Sequence, residues 1–187
     1  MAGKRKDKGR DKGRDKGGKG GGKDKSRFKK EMARAAFPDD LIVEHLDVES
    51  SDEAITKLLN SLVMAGRLDL SREDEVRKQI LERERVASTG IGLGVAIPHC
   101  KTKWADRLGL AAGISQHGLD FRAHDGQSVH VVMLWVCPPG ATQEHLALMR
   151  TVASIARDPD AAEGVRRCKD RLGLLQFLDT VELPDKK

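Results

Sequence analysis

Apolar residues first recur at helical spacing after Ser50, where Ile55, Leu58, Leu59, Leu62 and Val63 fall on one face. Ser50 and Glu53 stand at capping-box spacing, which predicts that the helix opens there, and Gly66 marks its end. Ahead of it, Ala36 to Val48 reads as a short strand or loop with Leu41-Ile42-Val43 as its apolar part. His45 in that stretch reads as a surface or hydrogen-bonded residue. Ser71 with Asp74 repeats the cap spacing. Val76, Ile80 and Leu81 mark a second helix running into Arg83-Glu84-Arg85, which reads as a solvated helix end.

Beyond His99 the pattern changes to strands. Leu108 to Ser115 is small and apolar, and Leu119 to Ala123 and Val129 to Val136 flank His124-Asp125-Gly126-Gln127. Asp-Gly is a hairpin signal. Val129 to Cys137 is so continuously apolar that both faces need cover, which places it centrally in a sheet, with His130 as a hydrogen-bonded packing residue. Pro138-Pro139-Gly140 ends the strand. Thr142 is the predicted N-cap of a helix with Leu146, Met149, Val152, Ala153 and Ala156 as its inner stripe, and Asp158-Pro159 breaks it. Ala161 to Cys168 and Asp170 to Leu178 read as short terminal helices. The second is expected to bury Leu172, Leu174, Leu175 and Leu178, and residues 179–187 are expected to fray.

Composition adds a tail to this picture. Residues 1–30 repeat Asp7-Lys8-Gly9-Arg10 as Asp11-Lys12-Gly13-Arg14 and offer almost nothing apolar, so they are expected to be disordered. They hold 14 Lys/Arg and 4 Asp, net +10, against 20 Lys/Arg and 25 Asp/Glu in the remainder, net −5. The basic balance therefore belongs to the tail, and the body is not a nucleic-acid-binding domain by charge. The tail reads either as a polybasic arm toward nucleic acid or an acidic surface, or as a solubilising extension. It lacks interleaved aromatics for base stacking. The longest apolar run, Val131 to Cys137, is far too short to span a bilayer. No apolar segment follows the basic N-terminus as in a signal peptide, and the chain is not expected to be an integral membrane protein. Three cysteines without CxxC spacing point to a reducing cytoplasm rather than a disulfide framework.

The candidate chemistry lies in Ser88-Thr89-Gly90-Ile91-Gly92-Leu93-Gly94-Val95-Ala96-Ile97-Pro98-His99. The glycines leave room for a close approach, and Pro98 fixes its own φ and keeps Ile97 extended. The expected result is a stiffly held histidine beside a glycine-lined hollow. His99 is then either a nucleophile, since a free imidazole titrates near about 6.5, or a residue that only caps a strand. His145 falls on the first turn of its helix, where an imidazolium is disfavoured and an anion favoured, so it reads either as a neutral donor to a phosphate or as a residue that only helps cap the helix. His99-Cys100 gives only two adjacent potential metal ligands, so neither a metal nor a cofactor is invoked.

Glu84, six intervening residues, then Ile91-Gly92-Leu93-Gly94-Val95-Ala96-Ile97-Pro98-His99-Cys100 resembles the type-2 enzyme IIA signature of the bacterial phosphoenolpyruvate:sugar phosphotransferase system. That family includes fructose/mannitol IIA domains and the nitrogen-regulatory IIA protein. Ser88-Thr89-Gly90, Asp125-Gly126, Pro138-Pro139-Gly140 and His145-Leu146 are further landmarks, and the resemblance runs from about residue 38 to 180. It implies an α/β fold, a three-layer α/β/α arrangement with a mixed sheet, over a domain spanning residues 36–182 behind the tail. It also implies a phosphohistidine carrier in which His99 accepts a phosphoryl group from phosphorylated HPr, with His145 and Arg83 as its supports. The backbone around Ser88, Thr89, Gly90 and Gly92 is expected to bind phosphate oxygens. The phosphate would pass to a separate IIB partner or serve as a regulatory signal. The rival reading is a binding module that regulates partners by contact, with the basic tail adding attraction to nucleic acid or an acidic surface.

Overall fold

Val129–Cys137 carries an apolar side chain everywhere except His130, so it must be covered on both faces. In the computed structural model, which describes residues 41–158 and 160–180, this segment is strand β6 of a six-stranded mixed sheet. The described elements run β1 (Ile42–Val43), α1 (Ser51–Met64), a 3-10 turn (Leu70–Arg72), α2 (Glu73–Val86), β2 (Gly90–Gly92), β3 (Val95–Ala96), β4 (His99–Lys101), β5 (Gly109–Leu119), β6, α3 (Thr142–Ile155), α4 (Ala161–Arg167) and α5 (Arg171–Thr180).

On one flank β6 pairs antiparallel with β5, and β5 pairs parallel with β1 at the edge. On the other flank β3 and β4 both run parallel to β6, through Val95↔Val131 and His99↔Trp135. They are successive segments of one line along β6, broken at Ile97-Pro98. The break follows from Pro98, which has no N–H for a ladder. Strand β2 lies outside β3, antiparallel to it.

Alternation along β6 divides the core. Val132, Leu134 and Val136 join Leu58, Leu62 and Ile80 of α1 and α2. Val131, Met133, Trp135 and Cys137 join Ile155, Val165, Leu174 and Phe177 of α3, α4 and α5. The fold is thus the three-layer α/β/α arrangement with a mixed sheet. Leu58, Leu59 and Leu62 are fully buried, each contributing about 1.5–3 kcal/mol of transfer free energy.

Local signals resolve differently in places. Ser50 Oγ accepts from Glu53 N at 3.2 Å, but the Glu53 carboxylate accepts from Glu49 N, one residue before the usual partner. The expected cap at Ser71 is displaced: the Asp69 carboxylate accepts from Ser71 N at 2.8 Å and opens the 3-10 turn, and α2 begins at Glu73. Thr142 is the first residue of α3 rather than its cap, because Ala141 holds the cap position without a side-chain bond. The inner face of α3 is Leu148, Met149, Val152 and Ile155, which leaves Leu146 41% exposed and Ala156 exposed. In α5 Leu172 is likewise exposed, and Phe177 packs inside with Leu174 and Leu178. The two expected strands before Asp125-Gly126 merge in part into one, β5, with a register shift between Ile114 and Leu119. Phe121 and Ala123 are buried in the loop that follows, where Gly126 N donates to Ala123 O. Glu84, read from sequence as part of a solvated end, is buried.

The basic tail and residues 181–187 lie outside the described residues, whereas Asp179 and Thr180, expected to fray, continue α5. Among the described residues no helix is long and apolar enough to cross a membrane.

Candidate functional site

The break at Ile97-Pro98 sets the site. His99 opens β4 immediately after it, and its Nδ1 lies 2.7 Å from the Ile97 carbonyl oxygen. A carbonyl only accepts, so Nδ1 carries the hydrogen and Nε2 keeps its lone pair. The register His99↔Trp135 puts both side chains on the same face of the sheet. Their rings stack at 4.7 Å between centroids, 11° apart in plane. Burial pushes the His99 pKa below its ordinary value, against the pull of the Ile97 bond. The Arg83 charge pushes the same way as burial, Glu84 opposes it, and Lys101 adds to the lowering.

His145 reaches the same place from the first turn of α3. Its ring lies 5.8 Å from that of His99. Trp135 Nε1 donates to His145 Nδ1 at 3.4 Å, so the His145 hydrogen is on Nε2. Burial lowers the His145 pKa, and Lys101 and His99 add to this. Both imidazoles are therefore neutral at pH 7, one as an acceptor of electrophiles and the other as a hydrogen-bond donor.

Arg83 arrives on the last turn of α2, where its Nη1 donates to Ala87 O at 2.7 Å. No ion pair with a carboxylate ties it down among the described residues. Arg83, His99 and His145 converge on one open hollow of about 410 Å³, with Gln79, Glu82, Cys100 and Lys101 completing its walls. Two cations, one carboxylate and two neutral imidazoles suit a compact anion. Cys100 is no rival nucleophile, since burial pushes its thiol up to about 12, with Cys137 adding to the shift.

Ser88, Thr89, Gly90 and Gly92 are not among the residues lining this hollow. Several of their polar groups are engaged within the protein, although Thr89 Oγ1 is buried without a hydrogen-bond partner among the described residues. Thr89 N donates to Glu84 Oε1 at 2.8 Å, Gly90 N donates to Ser88 Oγ at 2.9 Å, and Ser88 Oγ donates to Phe121 O. Gly92 has φ +85°, and a Cβ there would lie 2.9 Å from the Asp125 carboxylate. That carboxylate accepts from Leu93 N at 2.8 Å and Gln127 N at 3.1 Å, holding the β2–β3 turn. These bonds, Leu93 first, hold the Asp125 pKa below the usual carboxylate range.

Sequence reasoning named His99, His145 and Arg83, and the structure brings these three together. It missed Trp135, the Ile97 carbonyl, Lys101, Gln79 and Glu82. The available signal for Trp135 was a lone indole in a mostly aliphatic strand. Its value depends on the β4–β6 register, which no local pattern reveals. No group of three or more His, Cys, Asp or Glu side chains is placed to hold a metal ion among the described residues.

Comparison with known proteins identifies relatives of this chain. The chain is 33% identical over 138 residues to a nitrogen regulatory protein of Bradyrhizobium diazoefficiens, covering 73% of this chain and 88% of that one. It is 33% identical over 121 residues to the fructose-specific EIIABC component of Bacillus subtilis, covering 62% of this chain and 19% of that protein. Among solved structures, the nitrogen regulatory protein IIA-Ntr of Neisseria meningitidis superposes with a TM-score of 0.68 at 24% identity, over 79% of this chain and 99% of that one. The mannitol IIA of Escherichia coli, solved in complex with phosphorylated mannitol IIB, superposes with a TM-score of 0.61 at 18% identity, over 76% of this chain and 97% of that one. Residues 35–181 match the family model for the phosphoenolpyruvate-dependent sugar phosphotransferase system, EIIA 2. The chain belongs to that family.

Proposed function

We propose that this chain is a phosphohistidine carrier. His99 accepts a phosphoryl group from a phosphorylated HPr-like protein and passes it to a IIB-type partner or holds it as a regulatory signal. The observation that carries the reading is the commitment of His99 Nδ1 to the Ile97 carbonyl, which leaves Nε2 as the free nucleophile in a hollow containing Arg83 and Lys101.

The Nε2 lone pair attacks phosphorus in line. The new N–P bond forms as the donor's bond to phosphorus breaks, and that electron pair returns to the donor. The ring proton remains on Nδ1, where the Ile97 oxygen offsets the charge that develops on the imidazole. Arg83, His145 Nε2–H and Lys101 stabilise the equatorial oxygens, and positioning with fixed electrostatics accounts for the acceleration. Transfer onward is the same step reversed toward another acceptor.

The regulatory use of the phosphate draws support from the span of the match to the Bradyrhizobium nitrogen regulatory protein, 88% of that chain. Passage to a IIB-type protein draws support from the fold shared with the mannitol IIA that forms a complex with phosphorylated IIB.

The test is phosphoryl labelling. With labelled phosphoenolpyruvate, its phosphorylating enzyme and HPr, the wild-type chain should acquire one acid-labile phosphate and His99→Ala none. Equal labelling of the His99→Ala protein would overturn the assignment.

A further inference from the structure

We propose that Trp135 is a positioning residue of this site: it stacks against His99 to hold the nucleophilic ring, and its indole N–H selects the His145 tautomer that donates to the phosphoryl group. The transfer half of this proposal rests on the phosphocarrier reading above; the tautomer half does not.

The placement is dictated by the sheet. Trp135 is 1% exposed in the middle of the apolar run of β6, packed among Leu110, Met133 and Ile155. Trp135 N donates to Pro98 O at 3.1 Å, so the main chain beside the indole is tied to the same break that presents His99. One face of the imidazole is covered by the indole at 4.7 Å and 11°, and the Nδ1 edge is held by Ile97 O. With a face and an edge fixed, Nε2 is confined to one direction. The indole meets His145 edge-on, at 60° and 6.3 Å between centroids, with Nε1–H toward Nδ1. An indole nitrogen donates and never accepts. Its partner nitrogen must be unprotonated, so the His145 hydrogen is forced onto Nε2. A leucine at this position keeps an apolar side chain in the core, with less volume, and supplies neither the stacking ring nor the N–H.

The same bond disfavours protonation of His145, because an imidazolium would set two N–H groups against each other. The charged or titratable groups around His145 are His99, Cys100 and Lys101 on β4, Arg83 and Glu82 on α2, and Glu144 on its own helix. A change confined to Trp135 leaves all of them in place.

The experiment uses the full chain with Trp135→Phe, which keeps a flat stacking ring and removes the N–H, and Trp135→Leu, which removes both. Imidazole ¹⁵N shifts are followed against pH in each, and a backbone NMR spectrum verifies the fold. In Trp135→Phe, His145 should become a mixture of tautomers and its titration midpoint should rise by about half a unit or more. His99 should remain the Nδ1–H tautomer, and labelling from phosphorylated HPr should slow by about two- to tenfold. In Trp135→Leu, labelling should slow further, and His99 ring shifts should broaden or average. Unchanged His145 shifts and midpoint in Trp135→Phe overturn the tautomer assignment. Wild-type labelling rates in Trp135→Leu overturn the stacking role. If wild-type protein takes no label, the phosphocarrier reading and the transfer half fail together, while the ¹⁵N shifts still decide the tautomer lock.

Discussion

The Ile97 carbonyl oxygen accepts from His99 Nδ1 at 2.7 Å, reaching back across Pro98. That contact makes the two ring nitrogens chemically distinct: one is a donor held by the backbone and the other carries a free lone pair. The expected product of phosphorylation is therefore the Nε2-phosphohistidine. Nitrogen–phosphorus coupling in ¹⁵N-histidine-labelled, phosphorylated protein identifies the bonded nitrogen. Phosphate on Nδ1 would mean that the Ile97 bond breaks before transfer, and the assignment of the nucleophile would be wrong.

His145 Nε2–H is one of few donors at the hollow. Removing a donor aimed at developing oxygen charge costs about 10²–10³ in rate. His145→Ala should therefore slow labelling of His99 by about that factor while leaving the acceptor intact, so labelling remains acid-labile and runs to completion. Gln at this position, whose amide can donate, should recover part of the rate. An alanine variant as fast as wild type would remove His145 from the transfer step.

Both imidazoles have pKa values lowered from the ordinary histidine value, chiefly by burial. The sign for stability follows directly. As pH falls through about 6.5, the unfolded chain protonates these histidines and the folded chain resists. Stability should fall between about 6.5 and the lower folded pKa values, then level off with respect to these groups. The acid limb of the labelling rate should also have its midpoint below about 6.5, since the nucleophile must be neutral. Arg83→Gln removes a cation that opposes protonation of His99, so the His99 midpoint should move up even as transfer slows. ¹⁵N-detected titration of the two proteins checks this. A downward or absent movement would show that the Arg83 charge does not reach the ring.

Elements that depend on short-range patterning were legible in the sequence. The face of α1 and the central apolar strand follow from period and length alone, and Pro98 and the helix start at Thr142 place His99 and His145. What stayed hidden depends on contacts between segments remote in sequence. Glu84 looked solvated because its neighbours are charged, yet its carboxylate accepts from Thr89 N, buried at the start of the glycine stretch. That bond supplies a packing reason for a glutamate ahead of the glycines. Trp135 looked like core filling until the His99↔Trp135 register paired it with the nucleophile. The α3 stripe was rotated because apolar residues lie on more than one side of that helix, and only packing against the sheet selects Leu148 and Ile155.

Gly90 has two competing explanations, and a single methyl group separates them. From sequence it reads as a wall that lets phosphate approach. In the fold, a Cβ at Gly90 would stand 2.8 Å from Ala123 Cα and 2.9 Å from Ala123 Cβ, so the β2 backbone lies directly against the buried loop after β5. One of those two atoms is backbone, and the other is fixed to it, so neither can swing aside. Gly90→Ala should therefore cost about 1–3 kcal/mol, read as a lower urea midpoint with an unchanged slope. At a temperature where the variant remains folded, the packing explanation predicts labelling of His99 within about twofold of wild type, because Gly90 does not line the hollow. The phosphate-wall explanation predicts the reverse, a large loss of labelling with little loss of stability. Measuring the urea midpoint and the labelling rate on the same preparation decides between them.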